Sequence, residues 1–204
     1  MINRRITGLV LALAAFAIAA IPAFAHQPFF EDREFTAAAP YRVADPTIST
    51  AVYATLDSAR DVDYYAFQGK KGQRILLSMT IPQIPGQESF SPDMALMGQG
   101  LPAGRLPVAV EAPRKAGMKL LPGSKGKATS FYEPFSRTSY WERQEESVTL
   151  PATGAYTVAV WHPEGQLGRY TFVIGDRERL GGDPLFGRKL RAFWTPVRAD
   201  AEAN

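Results

Sequence analysis

The chain has no cysteine and only two histidines in 204 residues. The missing cysteines exclude disulfides, thiolate metal sites and cysteine nucleophiles. Two imidazoles leave little material for a catalytic triad, and no G-x-S-x-G elbow occurs. No carboxylate pair stands out for glycosidase chemistry. Charge of one sign is not concentrated either: 23 Lys+Arg stand against 20 Asp+Glu. That dispersed balance excludes a nucleic-acid surface, which draws its affinity from clustered cations. Amphipathic helices between strands are absent, which argues against a βαβ fold. What is there, 46% hydrophobic and 21% charged residues, suits one globular domain with a real core.

The first 25 residues read as a secretory signal peptide. Arg4 and Arg5 form a basic start, Ile6–Ile21 is apolar apart from Thr7 and Gly8, and Ala23-Phe24-Ala25 is a small-residue cleavage site. The apolar run falls short of the ~20 uninterrupted residues a membrane anchor needs. Cleavage after Ala25 would leave 179 of the 204 residues, with 21 Lys+Arg against 20 Asp+Glu. The expected location is the periplasm or the medium, with no transmembrane helix after cleavage.

From Ile48 onward short strands alternate with turns. Arg74–Ile81 places Ile75, Leu77, Met79 and Ile81 on one face. Ala155–Trp161 does so with Tyr156, Val158 and Val160, and Tyr170–Ile174 with Tyr170, Phe172 and Ile174. This period-two pattern is that of half-buried strands. Thr50–Leu56, Asp63–Gln68, Met94–Gly98, Pro107–Glu111 and Ser147–Leu150 are further candidates. The expected fold is all-β: an antiparallel sandwich or jelly roll of about eight strands, with a short C-terminal helix.

Two separated motifs then stand in a telling order. Asp61-Val62-Asp63-Tyr64-Tyr65-Ala66-Phe67 is followed by Gly72-Gln73 and an alternating strand. Ser147–Ala152 leads to Gly154–Val158, and Gly168–Phe172 closes the set. Over residues 48–175 this resembles the bacterial pre-peptidase C-terminal (PPC) domain. The resemblance implies a jelly-roll sandwich that is usually non-catalytic. Some relatives bind calcium or polymeric ligands, with no ligand set that maps onto this chain. The expected organisation is a leader (1–25), an N-terminal extension (26–47), the PPC-like sandwich (48–175) and a C-terminal segment (176–204).

Residues 111–146 form an insertion in that pattern. Lys115–Thr129, with four lysines, reads as a mobile loop. Phe131, Tyr132, Phe135, Tyr140 and Trp141 then crowd eleven positions. They serve either as a binding surface or as a cover for the sandwich. Beyond Gly175, Asp183-Pro184 reads as the N-cap and first residue of a helix. That helix would carry Leu185, Phe186, Leu190, Phe193 and Trp194, with Arg188, Lys189 and Arg191 between them. Docking of its apolar face on the sandwich or on a partner is the expectation.

If Ala25–His26 is the scissile bond, His26 becomes the N-terminus and offers its amine and Nδ1 together. That chelate suits Cu(II) and resembles the histidine brace of secreted copper proteins. The other imidazole, His162, would be its partner. Pro28 lacks the amide N–H that a square-planar site on successive backbone amides requires. Glu31, Asp32 and Glu34 lie near the new terminus, and Asp57, Asp61 and Asp63 flank a turn. Their spacing matches no calcium loop, so Asp61 and Asp63 are expected to cap the turn and start a strand. The leading expectation is an exported, non-catalytic binding domain of the cell envelope whose partner is a protein or envelope component. A copper-binding protein using His26 is the alternative, and a carbohydrate-binding module the second.

Overall fold

The computed structural model describes residues 26–107, 109–123, 128–133 and 137–197. The proposed leader therefore lies outside the described residues. Among them eleven strands and one helix form two mixed sheets facing each other. The strands are β1 (Gln27–Phe30), β2 (Tyr41–Arg42), β3 (Thr50–Leu56), β4 (Val62–Gly69), β5 (Arg74–Pro82), β6 (Asp93–Gly98), β7 (Gly117–Leu121), β8 (Thr129–Glu133), β9 (Thr138–Thr149), β10 (Gly154–Trp161) and β11 (Gly168–Ile174); the helix α1 is Phe186–Phe193. One sheet runs β1-β3-β11-β5-β9-β8, the other β2-β4-β10-β6-β7.

The alternating stretches fill the space between the sheets as their periodicity requires. Ile75, Leu77, Met79, Ile81, Tyr170, Phe172 and Ile174 meet Tyr65, Phe67, Met94, Leu96, Tyr156, Val158 and Val160 in one buried cluster. Met79 and Met94 are thus core residues with no exposure. Both outer faces are also covered. Leu190 and Phe193 of α1 pack on Ala51, Tyr53 and Val173 of the first sheet. Val110 packs on Tyr64, Ala95, Met97 and Trp161 of the second.

Five expectations change. The strands number eleven rather than eight, because the N-terminal extension and the insertion contribute their own. The pairing is not purely antiparallel: β1 runs parallel to β3 and β2 parallel to β4. Pro107–Glu111 is a loop, with residue 108 outside the described set, held over the second sheet by Val110 and by a Tyr64 hydroxyl that accepts the Glu111 N–H (2.7 Å). Gly117–Leu121, read as part of the Lys115–Thr129 loop, and Thr129–Glu133, not expected as a strand, are edge strands whose partial exposure hides the alternation. The helix begins two residues later than expected. Asp183 instead makes a turn before it, its Oδ1 accepting the Leu185 N–H at 2.8 Å.

The N-terminal extension is a strap. It adds β1 to the edge of one sheet, crosses to the other at residues 31–40, and adds β2 there. Phe35 pins the crossing: it is 1% exposed, its ring meets Tyr65 edge-on at 5.7 Å, and its carbonyl accepts the Tyr64 N–H at 2.7 Å. Phe35→Ala is expected to destabilise the protein by about 3–5 kcal/mol, as for other buried Phe truncations. Urea unfolding followed by tyrosine fluorescence measures it.

Candidate functional site: a carboxylate centre under the strap

Where the strap leaves β1 it passes over the β3–β4 turn, and five carboxylates converge there. Glu31 and Glu34 come from the strap, Asp57 and Asp61 from the turn, and Asp63 from β4. Oxygens of Glu31, Glu34 and Asp63 lie within 4.8 Å of one another, as do those of Glu34, Asp57 and Asp61. Glu34 belongs to both groups.

Asp63 is the anomaly. Strand alternation puts it on the core-facing side with Tyr65 and Phe67, and it has no exposure at all. Its Oδ2 accepts the Tyr170 O–H at 2.5 Å, and the Tyr65 hydroxyl donates in turn to Tyr170 at 2.7 Å. Its Oδ1 is buried with no partner. Across from it, Glu31 accepts the Thr55 N–H on Oε2 at 2.9 Å, and its Oε1 is likewise buried and unpartnered. Asp61 Oδ2 accepts the Asp57 N–H at 2.9 Å, which fixes the turn. The ion pairs of the described residues, Lys119–Glu146, Arg177–Asp45 and Lys189–Asp183, lie elsewhere. Arg169, whose guanidinium feels the Glu31 charge, is committed to Thr55 and Thr195.

Buried carboxylates normally have their oxygens satisfied, since leaving one bare costs about 1–3 kcal/mol and more when charged. Here a proton shared between Glu31 and Asp63 can occupy two of those oxygens, and once it leaves both are bare and the local charge is unbalanced. Burial first, and then the neighbouring carboxylates, hold Glu31, Asp61 and Asp63 above the ordinary range. Glu34 is raised as well, by partial burial and by Asp61 and Asp57. A hard divalent cation removes both problems together. Calcium takes 6–8 oxygens at about 2.3–2.6 Å, so two ligands on opposite sides of one ion stand about 5 Å apart. The oxygens of each carboxylate triad lie within 4.8 Å of one another, close enough to share one such ion.

Without a cation the centre imposes a pH dependence. Glu31 and Asp63 hold protons more tightly in the folded state, so the native chain binds more protons than the unfolded one above about pH 4. That contribution is complete below pH ~4 and is lost as pH rises through about 7 for Asp63 and about 9 for Glu31. In chelator, stability is therefore expected to fall by roughly 2 kcal/mol between pH 7 and 9. Both imidazoles, which burial lowers, are neutral throughout that window. Urea midpoints at the two pH values check this, and a rising midpoint would contradict it.

The two histidines are not brought together. His26 precedes β1, whose Gln27 is level with Thr50 and Ile174, and its Nδ1 bonds to the Ser49 hydroxyl. His162 stacks on Phe90 (5.4 Å, 10°), and Phe90 lies over Gly168, which pairs with Leu56. Six residues of β3 separate these levels, about 20 Å at strand rise. His162 Nδ1 accepts the N–H groups of Glu164 and Gln166 at 3.2 and 3.1 Å, so the ring caps a turn. The His26–His162 copper pair is not formed in this arrangement.

The aromatic run divides. Tyr140 is 2% exposed and meets Trp194 edge-on at 5.1 Å. Trp141 points to the other face of β9 and packs partly buried on the core. A carbohydrate platform built on these two rings would need both of them exposed, whereas one is buried and the other partly so. Phe131 and Tyr132 on the edge strand β8 are exposed, and Phe135 lies outside the described residues.

Sequence reasoning missed the assembled centre because its members come from three separated segments. One signal was available: an aspartate at the core-facing position of an alternating strand.

No protein-family profile matches the chain, and no curated protein does. Among solved structures, the chain is similar to the periplasmic inhibitor of g-type lysozyme, PliG, from Aeromonas hydrophila. That likeness has 13% identity over 74% of this chain and 98% of that one, with a TM-score of 0.38. Another is the PPC domain of a Bacillus anthracis collagenase, at 11% identity over 71% and 99%, TM-score 0.39. A third is CorA, a surface-associated copper-binding protein of Methylomicrobium album BG8, at 9% over 75% and 99%, TM-score 0.32. A PPC domain and a copper-binding protein are thus both among the neighbours. Likenesses this distant assign no ligand.

Proposed function

We propose that this chain is an exported, non-catalytic binding domain of the cell envelope whose N-terminal strap is stapled to the sandwich by calcium. Glu31, Glu34 and Asp63 would hold the ion, and Asp57 and Asp61 form a second triad around the shared Glu34. The carrying observation is the fully buried Asp63 with its bare Oδ1, beside the bare Oε1 of Glu31. The donor set is all oxygen and strongly anionic, which suits calcium and not Cu(I). The ion would supply positive charge and fixed geometry, not chemistry on a substrate. With its strap set, the sandwich presents a rigid surface, including Phe131 and Tyr132 on the β8 edge, to a protein or envelope component.

Isothermal titration of chelator-stripped protein tests this, with Ca²⁺, Mg²⁺ and Cu(II) in separate runs. Calcium is expected to bind at low micromolar concentration, magnesium far more weakly, and Glu34→Gln to weaken calcium at least tenfold. Absence of calcium binding up to millimolar concentration would refute the reading. Tight one-to-one copper binding without calcium binding would favour the His26 terminus instead.

A further inference from the structure

The C-terminal segment carries a feature that the carboxylate centre does not use. Beside α1 runs a groove of about 870 Å³, within the ~300–1,000 Å³ range of small-molecule sites. Pro28 of β1, Pro184, and Phe186, Leu190 and Trp194 of the helical segment give it apolar walls. Its charge is one-sided. Asp183 is its acidic member, and both oxygens are committed: Oδ1 to the Leu185 N–H at 2.8 Å and Oδ2 to Lys189 Nζ at 2.5 Å. Arg191 lines the groove, is exposed, and takes part in none of the ion pairs of the described residues. Arg188 is exposed on the same helix, which contains no acid.

An apolar trough with a cationic rim complements a molecule that is hydrocarbon along its length and anionic at one end. The geometry points to a monomeric long-chain carboxylate as the occupant, its chain between Pro28, Phe186, Leu190 and Trp194 and its head on Arg191. A guanidinium presents two parallel donors that match a carboxylate. A membrane surface fits less well, because Leu190 and Phe193 are already buried in the protein's own sheet and are not free to enter a bilayer. A second copy of the chain would need about 800 Å² of matched surface per partner, whereas this feature is concave. The proposal does not depend on the carboxylate centre.

The test is titration of the full chain lacking residues 1–25 with dodecanoate below its critical micelle concentration, followed by Trp fluorescence and calorimetry, with dodecan-1-ol as the uncharged comparison. Two variants separate binding from folding. Gly187 lines the groove, and a Cβ there meets nothing within 4 Å. Gly187→Leu therefore fills the space while improving helix propensity, and its melting temperature is expected not to fall. Arg191→Gln removes the head-group contact. The expected result is one-to-one dodecanoate binding, about tenfold weaker for dodecan-1-ol and for Arg191→Gln, and abolished in Gly187→Leu. Binding unaffected by either substitution would overturn the proposal. So would binding to anionic vesicles without binding of monomeric dodecanoate. A concentration-dependent dimer lost in Gly187→Leu, again without dodecanoate binding, would overturn it in favour of a second copy.

Discussion

Calcium at millimolar concentration is expected to raise the melting temperature of chelator-stripped protein by about 5–10 °C. A ligand that binds only the folded chain stabilises it by about 2.7 kcal/mol at a hundredfold excess over its dissociation constant. For a domain of this size each kcal/mol moves the midpoint by roughly 2–4 °C. The effect is specific. Magnesium demands near-octahedral geometry at about 2.0–2.1 Å and keeps its waters, so it is expected to move the midpoint by no more than about 2 °C. Sodium chloride at matched ionic strength screens the repulsion among Glu34, Asp57 and Asp61 but cannot reach the enclosed oxygens of Glu31 and Asp63. Equal shifts with calcium, magnesium and salt would show that only surface repulsion is being relieved. Calorimetric scans at pH 7.5 in the three solutions check the expectation.

Asp63→Asn is expected to reverse sign with the metal. In chelator at pH 8 the substitution removes a buried charge that no cation offsets. The amide can still accept the Tyr170 O–H, and its NH₂ can donate to the neighbouring Glu31 carboxylate in place of the proton the parent shares there. The variant is therefore expected to be about 1–2 kcal/mol more stable than the parent, in keeping with the cost of an unsatisfied buried group. In calcium the order inverts, because the parent gains the ion and the variant does not. The two proteins cross. An aspartate serving only as a hydrogen-bond acceptor for Tyr170 would give a variant of equal or lower stability under both conditions, with the calcium response intact. Urea unfolding in chelator and in calcium separates these outcomes.

The sandwich was legible in the sequence wherever one face of a strand is buried and the other is not. Arg74–Ile81 and Ala155–Trp161 appear as strands within a residue of their expected ends, with the expected residues inward; Thr50–Leu56 also has its expected ends, although both of its faces are buried. What stayed hidden has physical causes. β8 is exposed along most of its length, so no apolar alternation marks it. β1 and β2 are short edge strands that owe their place to Phe35 packing at a distance, not to local propensity. The carboxylate centre escaped because no local spacing encodes it: strap and turn meet only once β1 has paired with β3. The motif around Asp61–Phe67 did contain the clue, since the alternation that places Tyr65 and Phe67 in the core places Asp63 there too. The histidine pairing failed for the complementary reason. Scarcity made His26 and His162 the sole candidates, while sheet register set them at opposite ends of β3 and β11.

Hydrogen exchange with and without calcium tests most directly whether an ion staples the strap. The reporters are the Glu31 N–H bonded to Tyr53, the Tyr64 N–H bonded to Phe35, and the Val43 N–H bonded to Ala66. Calcium is expected to slow exchange at these amides at least tenfold while leaving β5 and β11 amides at the rate set by global unfolding. Glu34→Gln should remove that difference. Protection that rises evenly across both sheets, or not at all in residues 27–43, would contradict a cation held between strap and sandwich.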